Sequence, residues 1–121
     1  MELEIQKYLM SKFSGLSFNF FDGTECTAFP YGRFGYTQVI EVPNKSNYGQ
    51  EVLLQIDLFS DYNGQAEIKR MIAEVRSLIR ESFSAQETII HQIAISTQIL
   101  EEKLDDKHIY HGVVELTLAH Y

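Results

Sequence analysis

The sequence predicts an α+β fold: a mostly antiparallel sheet of four to five strands packed with one long helix, at about residues 64–82, and a shorter N-terminal helix, at about 2–13. Three observations predict it. Apolar residues recur at helical spacing in two segments, they alternate with period two in several others, and the long helix falls between two pairs of strands joined by turn chemistry.

The elements follow in chain order. Glu2–Phe13 places Ile5, Tyr8, Leu9 and Phe13 on one stripe, with Gly15 just past its end. So short a helix depends on docking for its stability. Ser17–Phe21 is a short fifth strand. Asp22–Gly35 (DGTECTAFPYGRFG) holds three glycines and a proline with little period, and reads as a loop. Tyr36–Val42 is a strand stopped by Pro43, and the turn-forming run Pro43–Gly49 leads into Glu51–Phe59. There Val52, Leu54, Ile56 and Leu58 share a face opposite Glu51, Gln55 and Asp57. These two strands are expected to form an antiparallel hairpin.

The long helix, Gly64–Ser82, carries Ile68, Met71, Ile72, Val75, Leu78 and Ile79 on one stripe. Asn63 and Gly64 are its expected caps, with Glu67 in the first turn and Arg76 and Arg80 near the end to complement the dipole. In Glu87–Leu100, Ile89, His91, Ile93, Ile95 and Ile99 face one way and Gln92, Ser96 and Gln98 the other, over a run long enough to bend or bulge. Glu101–Lys107 (EEKLDDK) then reads as the turn into Tyr110–Tyr121, where Gly112, Val114, Leu116 and Leu118 oppose His111, Glu115 and Thr117.

With 121 residues, 45% of them hydrophobic, the chain is expected to be one domain over 1–121, large enough for a core without disulfide or metal staples. Cys26, the one cysteine, has no internal partner for a bridge. The net charge of −7 is the wrong sign for gripping phosphates, and residues 51–121 account for −6 of it. The N-terminus lacks a basic region followed by an apolar one, and no apolar run approaches a membrane span. A soluble, intracellular protein without membrane contact is the expectation.

Chemistry-bearing motifs are sparse. There is no Walker loop, dinucleotide fingerprint or nucleophile elbow, and Gly32-Arg-Phe-Gly35 has only two glycines and no helix after it. Cys26 as a nucleophile would need a spatial partner, and an inert thiol is the simpler reading. His91, His108 and His111 with Asp105 and Asp106 are the one set that suits a metal-dependent hydrolase or nuclease. Their spacing departs from the helical HExxH pattern, and turn polarity with strand-exposed imidazoles accounts for them as well. Neither a metal nor a cofactor is expected. Seven aromatics crowd Phe18–Tyr36 with Arg33 as their only cation, too few bases for an RNA-stacking platform. Phe18 and Phe20 suit the core. Tyr31, Arg33 and Phe34, with Tyr48 in the next loop, are the candidates for a protein interface.

The run from Glu51 to Ile79, with Ser60, Tyr62, Gly64 and Ala66 between strand and helix, and the closing His111-Gly-Val-Val-Glu-Leu-Thr-Leu118 resemble the tail completion or tail terminator proteins of long-tailed bacteriophages. The resemblance extends over most of the chain and rests on no catalytic motif. It implies a structural, non-enzymatic virion protein, assembled in the bacterial host cytoplasm and sited at the head-proximal end of the tail. There a ring of copies, commonly a homohexamer, caps the tail tube, stops its growth, and joins the tail to a head-completion or connector protein. Its partners would be itself, the major tail tube protein and the connector. Under that reading DNA passes the ring without being bound, and the acidic second half acquires a use. Carboxylates lining a lumen repel phosphate, and Glu101, Glu102, Asp105 and Asp106 are the candidates. A general protein-binding module, motivated by the aromatic loop, is the other non-enzymatic reading.

Overall fold

The computed structural model describes residues 2–21, 28–42, 49–79, 82–85, 88–104 and 107–120. They form α1 (Glu2–Phe13), β1 (Asn19–Phe21), β2 (Tyr31–Val42), β3 (Gly49–Ser60), α2 (Ala66–Leu78), β4 (Ser82–Ala85), β5 (Thr88–Leu104) and β6 (Lys107–His120). One six-stranded sheet has the order β1-β2-β3-β6-β5-β4. Every neighbouring pair is antiparallel except β1 and β2. The α+β class and the two hairpins are as the sequence predicts, with one strand more than expected.

Both helices lie on one face of the sheet. The α2 stripe of Ile68, Met71, Ile72 and Val75 is buried, and Ile5, Leu9 and Phe13 of α1 join it above Val52, Leu54, Ile56 and Leu58 of β3 and Val114, Leu116 and Leu118 of β6. At about 25 cal/mol per Å² of apolar surface, this stripe-on-sheet contact is the main source of stability. Gly112 of β6 sits directly under α2. A Cβ there would stand 3.1 Å from Ile72 Cδ1 and 3.2 Å from Ile68 Cδ1, so the glycine lets the helix approach.

Several boundaries depart from the sequence reading. The helix expected to reach Ser82 ends at Leu78, because Ile79 turns extended and Ser82–Ala85 is taken as strand β4 against β5. Ile79 stays buried in the core, which its place in the apolar stripe reflects. At the other end Gly64 adopts φ +125°, a glycine conformation, and the N-cap is Gln65, whose side chain caps nothing. Ser60 links the helix to the strand before it. Buried at the end of β3, its hydroxyl donates to Glu67 Oε1 at 2.7 Å and accepts from the Tyr62 N–H at 3.1 Å, tying the strand to the first turn of α2.

The segment read as a loop over Asp22–Gly35 contains the first part of β2, since Tyr31–Phe34 pair with Phe59–Ile56 and Tyr31–Arg33 also pair with β1. Likewise EEKLDDK is no seven-residue turn, because β5 continues to Leu104 and β6 begins at Lys107. Among the described residues these two strands pair only with each other beyond the Ser60–Tyr110 pair, and residues 102–104 and 107–109 project past β3 as a two-stranded ribbon. Finally, the anticipated irregularity in β5 is a register shift between Gln92 and Ala94. It reverses the facing of Ile90 and His91. Ile90, not His91, enters the core, while Ile95 and Ile99 pack at its margin as expected.

Candidate functional site

The face of the sheet away from the helices carries a cluster of aromatic and charged side chains. Register places Tyr31, Phe59, His111 and Leu100 in one row across β2, β3, β6 and β5, and Arg33, Asp57, Val113 and Gln98 in the next. In the first row the rings stack. Tyr31 lies 4.8 Å from Phe59 at 26°, and Phe59 lies 4.4 Å from His111 at 18°. Phe29 extends the stack at 5.4 Å from Tyr31, Arg33 stands 5.3 Å over the Phe59 ring, and Lys107 stands 5.5 Å over Phe29.

In the second row Asp57 is 4% exposed. His111 Nε2 and Gln55 Nε2 each donate to its Oδ1 at 2.8 Å. Burial by itself raises this carboxyl, but the bonds from His111 and Gln55 and the nearby charges of His111 and Arg33 outweigh it and hold the group below the ordinary carboxylate range. Its other oxygen rests against Gly35, where a Cβ would collide with it. Gly35 sits in the register shift between Phe34 and Thr37, so the bulge and the missing side chain together make room for the charge. The second nitrogen of His111 faces Glu102 Oε1 at 3.6 Å. With both nitrogens turned to carboxylates and one ring face stacked on Phe59, this imidazole is committed to joining strands.

The expected site residues separate. Tyr31 and Arg33 lie in this cluster on β2, half-buried. Phe34 is corrected: it points to the helices, is 8% exposed, and packs 5.0 Å from Phe20 and 6.1 Å from Phe13, because successive residues of a strand alternate faces. Tyr48, Asp105 and Asp106 lie outside the described residues, as does Cys26. Glu101 and Glu102 are exposed on β5 where the ribbon begins, and Glu101 pairs with His108 at 2.7 Å. His91 is not brought to His111. It pairs with Ala119, eight residues further along β6, about 26 Å away at strand rise. Among the described residues no group of three or more metal-ligating side chains comes together, and no helix there is long and apolar enough to cross a membrane. Asp57 and Gly35 were not singled out as site residues by the sequence, whereas Ser60 stood in the wording between β3 and α2. The importance of Asp57 and Gly35 comes from cross-strand partners, and the local signal was an aspartate on the polar side of an apolar strand.

A rigid sheet with a charge cluster spent on its own strands defines a scaffold, and the comparisons bear on its class. A gene transfer agent structure, "Virion of native gene transfer agent (GTA) particle", contains a chain of the same fold, with a TM-score of 0.63 at 12% identity over 92% of this chain and 91% of that one. The family described as "Tail completion protein gp17" matches residues 21–121, and the chain belongs to it. It is thus a structural protein of phage tails. No curated protein matches it by sequence.

Proposed function

We propose that the chain acts as one tail-terminator domain over 1–121, forming a ring, commonly a hexamer, on the head-proximal end of the tail tube, where it ends tube polymerisation and joins tail to head. The observation that carries this reading is the family match over residues 21–121. The fold supports it. A ring subunit has to keep its shape while two different faces are gripped, and the α2-on-sheet core with the Asp57–His111 tie gives such a body. Its partners are further copies, the tail tube protein and the head connector. Tyr31 and Arg33, with Tyr48, are the residues assigned to partner contacts. Glu101 stands at the base of the ribbon and Glu102 on it, and with Asp105 and Asp106 they are assigned to the lumen, where DNA passes unbound.

The test is a phage in which this gene is interrupted. Lysates are expected to hold filled heads apart from tails whose tubes vary in length, with normal particles restored by the gene in trans. Joined particles with tails of uniform length in its absence would overturn the reading.

A further inference from the structure

Two edges of this sheet, on β2 at 34–40 and β5 at 92–100 beyond the short outer strands β1 and β4, lack the lysine and proline that commonly blunt a free edge. Among the described residues β1 covers β2 only at Tyr31–Arg33, and β4 covers β5 only at Thr88–His91, so residues 34–42 of β2 and 92–104 of β5 have an unpaired side. A free edge in a monomer is ordinarily blunted by lysine, proline or inward-pointing charge. Phe34–Ile40 and Gln92–Leu100 contain no charged residue and no proline, each holds one register shift, and the charges of the two unpaired stretches, Glu41 and Glu101–Lys103, stand at their far ends. Of the five exposed large hydrophobics, Tyr36, Val39 and Ile40 are on the β2 edge and Leu100 is on the β5 edge.

Strand direction selects the occupant. Across the sheet β2, β3, β6 and β5 alternate, so β2 and β5 run opposite ways at opposite ends. Setting the β5 edge of one copy beside the β2 edge of another therefore continues the alternation, and every new ladder bond is antiparallel. Deepening the reading as a self-assembling tail protein, on which it rests, we infer that a second copy of this chain adds to the sheet head to tail, its β2 edge at 34–40 on the β5 edge at 92–100. Each copy then has one donor and one acceptor edge, the arrangement that closes into a ring when the rotation allows.

The experiment uses the full chain with Val39→Lys, which blocks the β2 edge, and Thr97→Lys, which blocks the β5 edge. Both positions are exposed and face the helix side, where a charge on an edge strand opposes pairing. Sedimentation is run on wild type, on each variant, and on their equimolar mixture, with and without purified tail tubes. Wild type is expected to associate, each variant to weaken that association at least about tenfold, and the mixture to stop at a one-to-one dimer, since each variant keeps the edge the other lacks. Val39→Thr and Thr97→Val should associate as wild type does. If Val39→Lys loses its cooperative melt, Ile40→Lys on the other face of the same edge replaces it.

A wild type that stays monomeric under all these conditions overturns the inference, as does a lysine variant that associates as wild type does. Either variant alone forming a dimer would indicate two-fold pairing of like edges and would also overturn it. The role in joining heads to tails stands or falls separately, on the interrupted-gene lysates.

Discussion

Asp57 shows how one residue can bind several strands. Its carboxylate is taken by His111 from β6 and Gln55 from its own strand, with Gly35 of β2 giving it room. Because its folded value is depressed, its contribution is complete above the ordinary carboxylate value and is lost as pH falls through the lower folded one. Asp57→Asn should therefore cost about 1–3 kcal/mol near neutral pH. The gap from wild type should narrow below about pH 4, as read by urea unfolding across pH. A gap that stays constant with pH would mean that the charge carries nothing. Gly35→Ala should cost about 1–3 kcal/mol, since its methyl would have to displace a carboxylate pinned by two bonds. A wild-type melt for that variant would count against the close fit.

At the scale of elements, the passage from β3 to α2 depends on a side chain outside the helix. Ser60→Ala removes the bond to Glu67 and leaves the Tyr62 N–H without its acceptor, and should lower stability by about 1–2 kcal/mol in thermal or urea unfolding. Glu67→Gln, which can still accept from the hydroxyl, should cost less. The elements also show where periodicity is informative. The α2 stripe and the alternation of β3 and β6 stand as read, because each has one buried face whose pattern burial imposes. The end of α2 was misplaced because Ile79 is apolar and buried in either conformation, and pattern alone does not separate a last helical turn from the approach to a strand. The first part of β2 was hidden by its glycines, which suit a loop. In the sheet Gly32 accommodates Leu58 and Phe20, and Gly35 accommodates Asp57.

For the whole molecule the charge distribution is the property to test. If the ribbon faces the lumen, replacing Glu101 and Glu102 by lysine should leave particle assembly intact while slowing DNA release, measured as ejection into receptor-bearing vesicles at low and high salt. The slowing should diminish as salt rises, because phosphate attraction is screened. Ejection at the wild-type rate would return those carboxylates to simple solubility.

The sequence by itself determined the class, the two helical stripes, the faces of β3 and β6, and the family wording, since each depends on residues close along the chain. Only the tertiary structure decided that Phe34 belongs to the core, that Asp57 and His111 meet, that His91 lies far from both, and that among the described residues stretches of β2 and β5 have one unpaired side. The physical reason is register. Which residues oppose one another across strands is set by how whole strands align, by a glycine bulge in β2 and by a one-residue shift in β5, and no local period records that alignment.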